Sequence, residues 1–160
     1  MKKLSSVFVM LSMVFLSSCS SSDNKDSSAG LTLDGVSINT NAAILVKQAS
    51  SENSYSFSIS DTSDVKSVKI ITINIEFPLE SSVTGDYEYS KKGDRKLLGM
   101  SSYSITNATA GTVDSSVLLG GSGSVSITDN GKNNYTLVLD LIMKDGVILK
   151  GSFTGSFKVM

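Results

Sequence analysis

Cys19 is the only cysteine of this 160-residue chain, and it follows a segment with the features of a secretory signal. The chain begins Met-Lys-Lys, continues with a mostly apolar run over residues 4–16 and reaches the cysteine through two serines. A basic start, a short apolar run and small residues before a cleavage point are typical of such signals. The apolar run is too short to cross a bilayer, which takes about 20 residues. We therefore predict a signal peptide and not a membrane-spanning helix.

The residues Leu16-Ser17-Ser18-Cys19 resemble the lipobox of bacterial lipoproteins. That resemblance implies cleavage before Cys19, so that residues 1–18 are removed. It also implies a diacylglycerol on the Cys19 sulfur, often with a further acyl chain on the amine. Two or more acyl chains hold a protein stably at a membrane, whereas one holds it only marginally. The alternative is a plain secretory signal followed by an unmodified cysteine.

The same resemblance implies a location in the cell envelope. By analogy with lipoprotein sorting in enteric bacteria, Ser20 after the cysteine, where aspartate would mark retention, favours the outer membrane. The chain would then lie on the periplasmic face or at the cell surface. Residues 20–30 are small and polar with nothing to bury, so we expect residues 19–30 to form the lipidated cysteine and a flexible tether.

The composition excludes several kinds of catalytic and metal site. The chain has no histidine, so a Ser-His-Asp or Cys-His arrangement cannot be built. Zinc sites and haem sites that need histidine or cysteine ligands are excluded in the same way. Carboxylates, lysines and tyrosines remain, and no pair of the 15 acidic residues stands out. We therefore expect no enzyme, no metal and no cofactor; an enzyme using carboxylates or tyrosine is the weakest of three hypotheses.

Charge and length point to one ordinary domain. Without residues 1–18 the chain keeps 142 residues, with 12 basic and 15 acidic side chains. No basic patch stands out, so nucleic acid is not an expected partner. One acylated cysteine cannot form a disulfide within the chain, so stability must come from packing and strand pairing.

Two groups of residues are candidates for ligand contact. Tyr87, Tyr89 and Tyr103 could line a site for a sugar or an aromatic ligand, although tyrosine is common on sheet faces. Residues 91–96 form a loop that carries Lys91, Lys92, Arg95 and Lys96 with the single acid Asp94. Such a loop is usually solvated, but it could contact an anionic lipid or a glycan.

Two further segments are better explained by structure than by binding. Residues 129–133 are rich in oxygen ligands but lack the spacing of a calcium loop, and a hairpin turn explains each of them. Residues 120–123 are glycine-rich, yet they lead into a strand and not into a helix that would bind phosphate. We therefore interpret the second segment as a flexible link.

From Leu31 onward the apolar residues recur with the period of two that is typical of strands, and no helical period spans ten residues. We predict one all-β domain over residues 31–160, either an antiparallel β-sandwich or a lipocalin-like β-barrel of about eight to ten strands. The predicted strands lie near residues 31–33, 36–38, 43–49, 55–59, 68–77, 85–89, 103–106, 113–119, 125–127, 135–143 and 147–159.

Two hairpins have a predictable register. Asp34-Gly35 suits a two-residue type I′ turn that pairs Leu33 with Val36. Near residue 145, a three-residue loop pairs Leu141 with Leu149, apolar against apolar, whereas a two-residue loop would mix the faces. The longer loop places Gly146 in the left-handed region, so we predict a positive φ there.

Gly151 and Gly155 share a predicted inward face with Phe153 and Phe157. A glycine inside a strand usually marks a bend, a bulge or a close approach of backbones. The alternative is that the missing side chains leave room for a ligand beside the two phenylalanines. We favour the structural interpretation.

The turns and strands of residues 123–157, with the Leu-Thr-Leu-Asp-Gly segment at 31–35 and the lipobox, resemble small lipoproteins of Bacteroidota with calycin-like or β-sandwich domains. The resemblance implies a fold and an envelope location but supplies no catalytic residues. We expect a lipid-anchored, non-catalytic binding module for a glycan, an apolar molecule or a protein. The alternative is a structural or accessory subunit of an outer-membrane complex.

Overall fold

The computed structural model describes residues 30–47 and 53–160. The predicted signal peptide, Cys19 and all of the predicted tether except Gly30 lie outside them. The described part is all-β, with a single curled mixed sheet that forms a half-barrel. No helix in it is long and apolar enough to cross a membrane.

The sheet contains thirteen strands, of which nine have five residues or more. Their bounds are β1 Thr32–Leu33, β2 Val36–Ser37, β3 Ala42–Lys47, β4 Ser54–Asp61, β5 Ser67–Glu76, β6 Gly85–Tyr89, β7 Lys96–Leu97, β8 Ser102–Asn107, β9 Thr112–Val117, β10 Ser122–Gly131, β11 Asn134–Ile142, β12 Ile148–Ser156 and β13 Lys158–Val159.

Neighbouring strands follow the order β13-β3-β4-β5-β7-β6-β10-β11-β12-β1-β2, and β8 and β9 branch from β5. The branch arises because β5 has two successive partners on one side. Residues 67–72 of β5 pair with β8, whereas Ile75 and Glu76 pair with β7. Between them the Ser101 hydroxyl accepts a hydrogen bond from the Asn74 backbone N–H at 2.9 Å. A buried side chain thus satisfies the backbone where the sheet divides.

Both register predictions are confirmed. Asp34 and Gly35 have φ of 49° and 76°, and Leu33 pairs with Val36. Leu141 pairs with Leu149 across the β11–β12 loop, and Gly146 has φ of 90°.

The sequence predicted an antiparallel sheet, and this prediction is wrong in two places. β6 pairs with β7 in parallel, and β13 pairs with β3 in parallel. The predicted last strand, near residues 147–159, is interrupted at Phe157, whose N–H bonds the Asn133 carbonyl. After this break the chain crosses to β3, so its final residues join the opposite end of the strand order.

The glycine-rich segment 120–123 is not a free link, because Ser122 and Gly123 belong to β10. Gly123 has φ of 122°, and a Cβ on it would lie 2.1 Å from the carbonyl oxygen of Asp140. Only glycine permits this backbone conformation and this approach of β10 to β11 without strain.

The core lies on the concave side of the sheet, where alternate residues of the long strands are buried. Phe57 is fully buried and makes edge-to-face contacts with Tyr135 and Phe157, with ring centroids 5.2 Å apart in each pair. A Cβ on Gly155 would lie 2.6 Å from the ring of Phe153. The Phe153 ring therefore occupies the space directly beside Gly155, and an open groove of about 250 Å³ borders both residues.

Candidate functional site

A groove of about 690 Å³ lies over the outer face of β6 and β10; we call it the β6 groove. Two cross-strand pairs line its floor, Asp86 with Ser126 and Glu88 with Ser124. Side chains of directly paired residues project from the same face of a sheet. The Ser126 hydroxyl donates to the Asp86 carboxylate, which fixes one end of the floor.

One wall of the groove consists of residues 91–95, which belong to the basic loop predicted over residues 91–96. Lys96 does not belong to that loop, because it begins β7. The Lys91 ammonium donates to the Glu88 carboxylate at 2.9 Å. This hydrogen bond raises the pKa of Lys91 above its ordinary value. Lys92 and Asp94 are exposed on the same wall, so the groove presents both signs of charge.

Arg95 lies at the inner side of the groove and connects it to the core. Its Nη1 donates to the Tyr87 hydroxyl at 3.0 Å, and its guanidinium carbon lies 5.6 Å from the centroid of the Tyr87 ring. Gly85 has no side chain where the Arg95 side chain passes. Burial raises the pKa of Tyr87, although the nearby Arg95 charge opposes the rise, so the phenol stays protonated and its hydroxyl donates to the Val83 carbonyl.

The arrangement suits binding of a ligand that is rich in hydroxyl groups. The floor offers carboxylate and hydroxyl oxygens, and the wall offers ammonium and guanidinium donors. The groove is open to solvent, so a ligand can reach it without a movement of the fold. Within residues 30–47 and 53–160 no three acidic side chains are grouped so that they could hold a metal ion.

The structure separates the three tyrosines that the sequence had grouped. Tyr87 lies beneath the β6 groove, and Tyr103 lies at a different pocket beside β1; both are almost completely buried. The Tyr89 hydroxyl accepts a hydrogen bond from the Gly120 N–H. The tyrosines therefore do not form one aromatic surface.

Sequence reasoning missed the floor of the groove. Asp86 and Glu88 occupy alternate positions of β6, and Ser124 and Ser126 occupy alternate positions of β10. Alternation predicts that each pair faces outward. The pairing of β6 with β10, about 40 residues apart in the chain, is what brings the two polar rows together, and no local pattern reports it.

The oxygen-rich segment 129–133 forms the irregular end of β10 and the two-residue turn Lys132–Asn133 that leads into β11, so the hairpin prediction is confirmed. The Gly131 N–H donates to the Asp129 carboxylate at 2.8 Å, and Lys132 and Asn133 have φ of 53° and 59°. Those oxygens and positive φ values belong to the turn itself.

Asp61, which the sequence did not mark, is the one buried carboxylate of the described residues. It accepts hydrogen bonds from the Asn39 N–H at 3.0 Å and from the Ser63 N–H and hydroxyl, and it lies 3.4 Å from the Lys69 ammonium. The Ser63 hydroxyl contributes most to lowering the pKa of Asp61 to about 2, against the opposing effect of burial. All of its partners belong to the fold, so we assign it a structural role.

Comparison with protein-family models, with curated proteins and with solved structures gave no match for this chain.

Proposed function

We propose that this protein is a lipoprotein of the bacterial cell envelope, attached to the membrane by acyl chains on Cys19. The support is the lipobox-like Leu-Ser-Ser-Cys segment after a secretory signal, together with the uniqueness of the cysteine. The polar residues 20–30 would reach at most about 36 Å when extended, at ~3.3 Å per residue, and would hold the domain away from the lipid surface. The outer membrane is the proposed destination.

We propose further that the β domain is a non-catalytic binding module and that its ligand is a glycan held in the β6 groove. The observation that carries this proposal is the pairing of Asp86 with Ser126 and of Glu88 with Ser124 beneath a wall of exposed lysines. Hydroxyl groups of a sugar can donate to the carboxylates and accept from Lys91 and Lys92.

For the architecture we propose a lipocalin-like barrel that is incompletely closed, in preference to a two-sheet sandwich. The support is that one curled sheet contains every described strand and that β13, directly after β12, joins β3 near the other end of the strand order. Full closure would remove the sheet edges, whereas here β2 remains an edge.

The membrane anchor is tested by Cys19→Ser in cells. The wild-type protein should fractionate with the outer membrane and its mature form should carry the mass of the added lipid. The variant should lose both properties. An unchanged mass and an unchanged membrane fraction in the variant would overturn the lipoprotein assignment.

Glycan binding is tested with the purified full chain on an array of neutral and charged polysaccharides. Asp86→Asn with Glu88→Gln should abolish binding of any positive glycan. The matched control is Asp140→Asn, because Asp140 is an exposed outer-face acid of β11 that does not line the groove.

If no glycan binds, or if the floor variant binds as the wild type does, the glycan proposal is wrong. Crosslinking in cells followed by mass spectrometry then decides for the alternative of an accessory subunit, which requires a stoichiometric protein partner.

A further inference from the structure

A second cavity lies at the end of the curled sheet, away from the β6 groove; we call it the end pocket. It has a volume of about 210 Å³ and opens between the β1–β2 hairpin and the β8–β9 branch. Leu33, Ile105 and Val147 supply most of its apolar wall. An apolar cavity of ~150 Å³ can hold a benzene molecule, so this pocket has room for one ring and a short substituent.

Strand pairing places charged groups around that apolar wall. Lys69 of β5, Ile105 of β8 and Asp114 of β9 are direct neighbours across three strands and share one face. Asp34 approaches from the opposite side, where its carboxylate accepts the Ile148 N–H at 2.8 Å. The rim therefore carries two carboxylates and one ammonium group.

Lys69, the only cation among the described residues of the rim, is already compensated. The Lys69 ammonium lies 3.4 Å from the buried Asp61 carboxylate, which cannot turn away from it because three further hydrogen bonds hold it. With Lys69 and Asp61 cancelling, Asp34 and Asp114 leave the rim with a net negative charge.

A third carboxylate, that of Asp145, lies beside a residue of the pocket wall without lining the pocket itself. Tyr103 lines the pocket, and its hydroxyl donates to the Asp145 carboxylate at 2.6 Å. Burial raises the pKa of Tyr103 well above its ordinary value, and the charges of Asp145, Asp114 and Asp34 raise it further. Tyr103 is therefore surrounded by negative charge, with the Asp145 carboxylate in direct hydrogen-bond contact.

We infer that the end pocket binds a small amphiphilic amine, with an apolar body about the size of one aromatic ring in the cavity and an ammonium group at the carboxylate rim. The size of the cavity selects the body, and the uncompensated charge of Asp34 and Asp114 selects a cation over an anion. This site is separate from the β6 groove, so a negative result for glycan binding would not affect the amine proposal.

The test uses isothermal titration calorimetry on the purified full chain in detergent. The probes are 2-phenylethylamine, the neutral 2-phenylethanol and the anionic 3-phenylpropionate. The amine should bind saturably at sub-millimolar to millimolar concentration, the alcohol more weakly, and the carboxylate not at all. Absence of saturable amine binding, or equal binding of the amine and the carboxylate, would overturn the inference.

Two variants locate the binding. Ile105→Trp should abolish binding of the amine and the alcohol by filling the cavity. If Ile105→Trp does not fold, Val36→Trp serves as the second variant. Val36 is 62% exposed, so a tryptophan there should block the pocket from its edge without disturbing the core. Binding that survives in a folded variant of either kind would show that the amine binds elsewhere.

A third variant tests the charge. Asp114→Asn should weaken binding of the amine by about three- to fivefold, the upper range for an exposed ion pair, and leave binding of the alcohol unchanged. The matched control is Asp129→Asn near the end of β10, which should change neither affinity. An equal loss for amine and alcohol in Asp114→Asn would contradict the role of the rim charge.

Discussion

Replacing Asp61 by asparagine should destabilise the fold by about 2–3 kcal/mol at neutral pH. The Asp61 side chain is only 5% exposed, and its charge is held by backbone and side-chain donors from two loops and by Lys69. The folded-state pKa of about 2 lies below the ordinary value of 3.8. Because a tenfold change in acid strength corresponds to about 1.4 kcal/mol, this difference yields the expected magnitude.

The pH dependence has a defined sign. A carboxyl whose pKa is lower in the folded state stabilises the fold fully above its unfolded pKa of 3.8. That stabilisation is lost as the pH falls from 3.8 towards 2, where the folded protein also takes up the proton. The difference in unfolding free energy between wild type and Asp61→Asn should therefore be constant near neutrality and shrink within this acidic interval.

The assay is urea unfolding followed by circular dichroism at a series of pH values, with equal m-values required for the comparison. Asp64→Asn is the matched control, because Asp64 is exposed in the same loop and its bond from the Lys66 N–H can be kept by an amide oxygen. The control should change stability by less than about 0.5 kcal/mol. The reasoning would be refuted if Asp61→Asn lowered the free energy of unfolding by less than about 0.5 kcal/mol. It would also be refuted if the difference in stability between wild type and Asp61→Asn persisted below pH 2.

Three further substitutions test the packing. Gly123→Ala should lower the free energy of unfolding in urea by about 2–4 kcal/mol, because φ is positive there and the new Cβ would clash with the Asp140 carbonyl. Gly30→Ala is the control and should leave the stability almost unchanged, because the space around Gly30 is open. Phe57→Ala should lower the free energy of unfolding by about 3–5 kcal/mol, because it removes a fully buried ring from the core. A loss no larger than that of a surface substitution would contradict the burial of this ring. Tyr103→Phe should cost about 1.5–3 kcal/mol, since it removes a hydrogen bond to the Asp145 carboxylate; a neutral effect in thermal melts would show that this bond is not formed.

The sequence by itself determined the local structure of the β domain. Alternation of apolar and polar residues identified the long strands, such as Ser67–Glu76, because side chains of a strand point to opposite faces. Turn residues determined the β1–β2 and β11–β12 registers, including the positive φ of Gly146, because only a few residue types tolerate that backbone conformation. The absence of histidine ruled out whole classes of chemistry before any fold was known.

Tertiary structure decided what depends on residues far apart in the chain. The division of the sheet at Asn74, the parallel pairing of β13 with β3 and the burial of Asp61 each join segments that no local pattern connects. The same holds for both cavities, since the β6 groove needs β6 beside β10 and the end pocket needs Asp34 opposite Asp114. Which strands pair depends on the apolar surface that the whole sheet buries. The alternation within one strand determines which of its side chains are buried, but it does not determine which strand lies beside it.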